Sequence, residues 1–207
     1  MDGAVAWILM VSAMAGGVDI PASSYRKGAP CYLEKLFLSE DSIKIQAYFN
    51  CSRATTVVEC SSPEPLGLED GTITDDHITS SRSHSRWPAK EGRLNYHGGW
   101  KAYGSTDPWI EVDFVETTPV AGAITQGGGE KYVTLYKVAY KKQPSSDYKH
   151  VTDGSGNITV FTGNTDVDTP VTNLFEESVL AKVVRIEPTA WHVGAALRLE
   201  LLGCRRD

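Results

Sequence analysis

The chain has 207 residues, enough for one well-filled core and a small extra module. Apolar residues make up 41% and charged residues 22%, the balance of an ordinary globular protein. A net charge of −6 argues against a general nucleic-acid binder, which needs an excess of Lys and Arg.

Residues 1–17 read as a signal peptide. Ala4 to Ala15 is an apolar run too short to span a bilayer comfortably. Small residues at Ala13, Ala15, Gly16 and Gly17 suit a cleavage site, although Asp2 is unusual in such a head. No later stretch is long and apolar enough for a transmembrane helix, so a secreted, extracellular protein is expected. Cys31, Cys51, Cys60 and Cys204 then read as two disulfides. None sits in a CxxC pair, which disfavours a zinc or redox site. The sequons Asn50-Cys51-Ser52 and Asn157-Ile158-Thr159 make Asn50 and Asn157 candidate glycosylation sites.

Residues 18–59 form an N-terminal extension. Its first part, to Pro30, is polar and Pro-punctuated. Residues 31–51 fold on paper into a hairpin in which paired positions sum to a constant. Cys31 meets Cys51, Leu33 meets Phe49, Lys35 meets Ala47 and Phe37 meets Ile45, with the turn at Glu40-Asp41-Ser42. This register puts Leu33, Phe37, Ile43, Ile45 and Phe49 on one face. A Cys31–Cys51 bridge would close it. An isolated hairpin is marginal in water, so it needs the bridge and docking, and it could serve as a homo-oligomer contact.

From Cys60 onward the chain reads as short strands and turns. Ile78 to Pro108 is irregular and rich in Ser, Gly, Arg and aromatics, as binding loops are. Trp109 to Phe114 alternates cleanly, with Trp109 assigned to the core. Further strands are expected at Pro119–Gln126, Lys131–Lys141, Ile158–Phe161, Leu180–Ile186 and Ala195–Leu202. In Lys131–Lys141, Val133, Leu135 and Ala139 form one face. Such a run predicts an antiparallel sandwich or barrel. A Cys60–Cys204 bridge would close a loop of about 145 residues, worth about 4–5 kcal/mol on chain-entropy grounds.

Several pieces of this block, in order, resemble the discoidin family, also called the coagulation factor V/VIII type C domain. They are Pro65-Leu-Gly-Leu-Glu-Asp-Gly71, Ile78-Thr-Ser-Ser81, Arg93-Leu-Asn95, Trp109-Ile-Glu-Val-Asp-Phe114 and Ile124-Thr-Gln-Gly127. The series continues with Phe161-Thr-Gly-Asn-Thr-Asp166, Val183-Val-Arg-Ile-Glu-Pro188, Trp191-His192 and Leu197-Arg-Leu-Glu-Leu-Leu-Gly-Cys204. The resemblance covers residues 60–204 and leaves 205–207 as a tail. It implies an all-β fold: a distorted jelly-roll barrel or sandwich of eight main antiparallel strands, here preceded by the small hairpin. It also implies a Cys60–Cys204 terminal disulfide and ligand binding at three loops of one end, His84–Leu94, Tyr96–Asp107 and Gly127–Lys131. Family members bind phosphatidylserine membranes, galactose-type glycans, collagen or protein tails, and the domain is not an enzyme.

The loops supply parts for two kinds of contact. A membrane contact needs apolar tips above cations. Trp87, Trp100 and Tyr103 could be tips, with Arg82, Arg86, Lys90, Arg93, Lys101 and Lys131 as cations. The third loop, Gly-Gly-Gly-Glu130-Lys131, brings no large apolar residue. A glycan contact needs an aromatic plate and converging polar groups. Trp87 or Trp100 could be the plate, with Arg86, Arg93, Asn95, His97 and Asp107 as polar partners and His84 a further candidate of the first loop. In the family the Arg-Leu-Asn piece is partly structural, which leaves Arg93 open between strut and contact. Capture of peptide tails by this family uses a Tyr where Ser83 stands, which disfavours that reading.

Other signals carry less. The five histidines form no HExxH pattern, and no nucleophile–base pair for a hydrolase is visible. Asp70, Asp75 and Asp76 could hold a structural calcium, although a solvated acidic turn is the simpler reading; no other cofactor is indicated. The preferred function is lectin-like binding of cell-surface or microbial glycans. The alternatives are peripheral binding of anionic phospholipid and cell-adhesion protein binding.

Overall fold

The computed structural model describes residues 32–37, 46–50, 60–104 and 106–205. The chain divides into two units, Met1–Thr56 and Val57–Asp207. The expected signal peptide, the Cys31–Cys51 bridge and the last two tail residues lie outside the described residues.

In the first unit β1 (Tyr32–Phe37) pairs antiparallel with β2 (Gln46–Asn50). The outer pairs, Tyr32 with Asn50 and Leu33 with Phe49, follow the expected register. Beyond Leu33 the register slips by one. Lys35 faces Tyr48 rather than Ala47, and Phe37 faces Gln46 rather than Ile45. A bulge at Glu34 accounts for this, since one extra residue on one strand moves every later pair.

The second unit is one antiparallel sheet of nine strands. They are β3 (Glu64–Pro65), β4 (Ile78–Ser80), β5 (Trp100–Lys101), β6 (Ile110–Gln126), β7 (Tyr132–Lys141), β8 (Lys149–His150), β9 (Phe161–Thr162), β10 (Val171–His192) and β11 (Ala196–Gly203). Two long strands make the architecture. The first part of β6, Ile110 to Val112, lies between β4 and β10. Its second part, Val120 to Gln126, lies between β11 and β10. One pair of strands therefore serves both halves of the curled sheet, as the jelly-roll expectation requires.

The residues show why β6 can turn this corner. Ile110, Val112 and Phe114 are buried, whereas Val115 and Glu116 are exposed. Burial then resumes on both faces, from Pro119 to Ala123 and again at Thr125 and Gln126. The β6–β10 register breaks between Ala181 and Val183, opposite this bend. The ammonium of Lys182 fills the gap, donating to the carbonyls of Phe114 and Val115 that the ladder leaves free. The two strands expected at Trp109–Phe114 and Pro119–Gln126 are thus one bent strand.

Three other readings need correction. Leu135 is 38% exposed rather than sharing the buried face of Val133, because β7 meets β10 through two register shifts. The expected strand at Ile158–Phe161 shrinks to an isolated bridge at Ile158 and a two-residue β9. Trp109 is half-buried, lying under the guanidinium of Arg185 at 4.0 Å, and is not core.

The core is filled by Leu197, Leu199 and Leu201 of β11, by Ile110 and Val112, and by Val138, Val184 and Ile186. Cys60 and Cys204 are joined across 144 positions of sequence. No helix among the described residues is long and apolar enough to cross a membrane.

Candidate functional site

The residues expected at the loop end fall into three groups. The first consists of braces. Arg93 is 7% exposed and donates to the carbonyls of Leu68 and Ile73, both at 2.8 Å, and to Asp75 at 2.7 Å. Asn95 takes a left-handed backbone, φ 58°, and exchanges hydrogen bonds with Gln126. Its side-chain amide also donates to Glu69 at 2.7 Å. Trp100 is 0% exposed, part of the core rather than a plate, and its indole N–H has no acceptor among the described residues. Burial therefore removes Trp100 from the contact surface, and Arg93 is committed to its three acceptors.

Sequence reasoning missed the other members of this brace. Glu200 is fully buried, and its carboxylate accepts from the backbone N–H groups of Gly67, Leu68, Glu69 and Leu201 at 2.8–3.3 Å. Arg198 donates to the carbonyls of Gly127, Tyr96 and Val167, tying the second and third loops to β11. The available signal was the polar pair alternating within an otherwise apolar β11.

The second group borders a groove of about 490 Å³ lined by Glu69, Asp70, Asp75, Lys90, Arg93 and Tyr96, among others. Lys90 pairs with Asp75 at 3.5 Å. The Arg93 guanidinium, hydrogen-bonded to Asp75, holds that carboxyl below the usual carboxylate range. Asp70 accepts from the Thr72 N–H and Asp76 from the Thr74 hydroxyl. The three acids proposed for calcium therefore have separate partners. Among the described residues no cluster of acids, His and Cys is arranged to hold a metal ion. Next to Tyr96, His97 is exposed and stacks at a tilt against that ring, 5.6 Å between centroids. Asp107 is exposed and touches Thr106 alone among the hydrogen-bonding groups described.

The third group is contiguous at the barrel rim. Bridges between Ser83 and Ala102 and between His84 and Trp87 fold the first loop against β5. Tyr103 is 54% exposed, with the Arg82 guanidinium 5.3 Å from its ring and His84 edge-on at 5.9 Å. Exposed Arg86 donates its backbone N–H to the His84 ring at 3.2 Å.

Trp87 packs against Gly98, where a Cβ would fall 1.7 Å from its ring. The ammonium of Lys101 sits over the same indole at 4.0 Å. The ring is therefore occupied by Lys101 rather than presented as an open sugar plate. Glycine also closes the next contact, because a Cβ on Gly128 would strike the Gly98 carbonyl at 2.5 Å. This brings the third loop onto the second. A Cβ on Gly129 would stand 2.6 Å from the Lys101 ammonium, so Lys101, Glu130 and Lys131 share one locality. Burial, then the charge of Lys131, push the Lys101 ammonium below its usual proton affinity, and Glu130 partly offsets them.

Comparison with known proteins agrees with this frame. The family model for the F5/8 type C domain matches residues 77–201. Retinoschisin of Mus musculus is 34% identical over 160 residues, covering 72% of this chain and 71% of its own. Lactadherin of Rattus norvegicus is 39% identical over 158 residues, covering 68% of this chain and 36% of that protein. Among solved structures, discoidin II of Dictyostelium discoideum superposes with a TM-score of 0.61 at 18% identity, over 71% of this chain and 60% of that one. A pair of modules from Clostridium perfringens ZmpB, solved in complex with GalNAc, gives a TM-score of 0.51 at 12% identity, over 69% and 39% of the two chains. At these identities the two structural likenesses establish the fold.

Proposed function

Because the chain belongs to the F5/8 type C domain family, whose scaffold presents loops at one end of a barrel, we propose that this end docks on an anionic phospholipid surface. The observation that carries the reading is the Lys101 cluster. With nothing bound, the Lys101 ammonium over Trp87 is disfavoured first by its partial burial and then by the charge of Lys131. An anionic head group would relieve that cost. Arg82 and Arg86 extend the positive rim, and exposed Tyr103 adds an amphipathic side chain suited to a membrane interface. The role is binding rather than catalysis, in an oxidising extracellular setting that suits the Cys60–Cys204 bridge.

The test is sedimentation with vesicles of phosphatidylserine and phosphatidylcholine, set against phosphatidylcholine alone. Binding is expected only with phosphatidylserine and should weaken with salt. Lys101→Ala and Lys131→Ala should each cost about fivefold, from roughly 1 kcal/mol per cation at an anionic surface. Failure to sediment with phosphatidylserine vesicles at low salt would end the proposal.

A glycan reading survives in altered form. With Trp87 covered, its aromatic surface is Tyr103, flanked by His84 and Arg82. A glycan array in which Tyr103→Ala abolishes a saccharide signal, with vesicle binding absent, would favour it.

A further inference from the structure

The turn between β10 and β11 belongs to none of the three loops, yet it stands beside them. It consists of Val193, Gly194 and Ala195, entered from Trp191 and His192 at the end of β10. Val193 is 71% exposed and holds a left-handed backbone, φ 61°. For a β-branched residue this conformation is a steric outlier, which the surrounding structure must enforce.

The enforcement is visible on both legs of the turn. His192 stacks on Tyr132 with centroids 4.8 Å apart and planes 13° apart. Ala195 accepts a hydrogen bond from the Ala102 N–H at 3.0 Å. The Gly194 N–H closes back on the His192 carbonyl at 2.7 Å, leaving Val193 at the apex. The side chain of Lys131 packs along Gly194, where a Cβ would sit 3.1 Å from Lys131 Cδ. Trp191, on the approach to the apex, is 39% exposed.

We infer that Val193 is the apolar wedge of the rim, a strained tip that enters the hydrocarbon boundary of a bilayer while Lys131 and Lys101 meet the head groups. This rests on the membrane reading above and supplies the part that reading lacks. The third loop has no apolar residue, and the turn adjoining Lys131 provides one. A valine apex offers a sugar or a peptide no hydrogen bond, and in water its exposed surface is unfavourable. It gains by leaving water for hydrocarbon, with cations at its side to hold the anionic interface.

The experiment uses the whole protein and vesicles with and without phosphatidylserine. Val193→Asn suits a left-handed backbone and removes the apolar tip. It should lower affinity for phosphatidylserine vesicles roughly tenfold, the worth of one buried aliphatic side chain. Its thermal midpoint should stay at or above that of the parent. The salt dependence of binding should keep its slope, because no charge is removed. Val193→Leu should retain binding within about twofold, since it keeps an apolar tip of similar burial value. If the parent binds and Val193→Asn binds equally well, the wedge is wrong while the membrane reading stands. If the parent fails to bind phosphatidylserine vesicles, both fall. If Val193→Asn changes the oligomeric state and leaves vesicle binding unaltered, the tip serves a protein contact and the inference is overturned.

Discussion

Arg93 separates a brace from a contact. Its three acceptors are the Leu68 and Ile73 carbonyls and the Asp75 carboxylate. Arg93→Ala would strip a charged donor from two carbonyls around a buried side chain and leave Asp75 unpaired on that side. A hydrogen bond to a charged group contributes about 1.5–3 kcal/mol, and breaking a buried pair costs about 3–5 kcal/mol. Asp75 is 56% exposed at its side chain, so solvent screens its share. A net loss of about 3–4 kcal/mol follows from the two carbonyls and a discounted ion pair. In a domain of this size that lowers the thermal midpoint by about 6–15 °C. Arg93→Lys keeps the charge but cannot span three acceptors, and should recover less than half of the loss. Urea unfolding followed by circular dichroism measures the loss. The acid limb adds a second readout. Asp75 has its carboxyl held below its ordinary 3.8, so its contribution is full above that value and fades as pH falls through the lowered one. Arg93→Ala should flatten this limb. An unaltered midpoint together with lost vesicle binding would make Arg93 a ligand contact and refute the reasoning.

Four further outcomes follow from the same geometry. Glu200→Gln replaces a carboxylate that accepts four backbone N–H groups, and should cost about 2–4 kcal/mol in urea unfolding, since an amide NH2 cannot accept. Gly98→Ala drives a methyl into the Trp87 ring, so a shift in tryptophan emission and weaker vesicle binding should appear together. Cys60→Ser with Cys204→Ser opens the loop across 144 positions and should lower stability by about 4–5 kcal/mol, read as a shift in urea midpoint. Raising pH should discharge Lys101 before an ordinary lysine at 10.5, so vesicle binding should fall early on the alkaline side. Folding stability should meanwhile rise between the lowered value and 10.5, and Lys101→Arg should abolish both effects.

The strands were legible where burial alternates with period two. Ile110, Val112 and Phe114 announce themselves, as do Leu197, Leu199 and Leu201. What alternation cannot convey is continuity through a bend. Val115 to Thr118 looks like a turn because its side chains leave the core, yet the chain stays in one strand and Lys182 caps the carbonyls at the break. The start of β10 escaped for a related reason. Val171 to Leu174 is half-exposed and carries no apolar stripe, although it is paired with Gly122 to Thr125. In the hairpin a single bulge at Glu34 moved every later pair, which no pattern of residue types records.

The site was legible as a neighbourhood but not as a division of labour. Arg93 and Lys101 are both cations in the same loops, and Trp87 and Trp100 are both tryptophans. Packing makes Arg93 a strut and Trp100 core, while Lys101 and Trp87 stay at the rim. The pieces that carry the family resemblance include the braces: Arg93 at the end of the first loop, Asn95 just beyond it, Gln126 at the end of β6, Arg198 and Glu200 in β11. Residues that secure a scaffold recur because the scaffold recurs, so resemblance identifies the barrel with ease and says least about the side chains that leave it. Val193 is the extreme case. Its significance lies in a backbone angle and an exposure, both set by Tyr132, Lys131 and Ala102 from elsewhere in the chain. A valine followed by glycine in a turn is a faint signal in one dimension. It becomes a strong one only when the strain is seen beside the rim cations, and the paired measurement of midpoint and vesicle affinity in Val193→Asn weighs that strain against that contact.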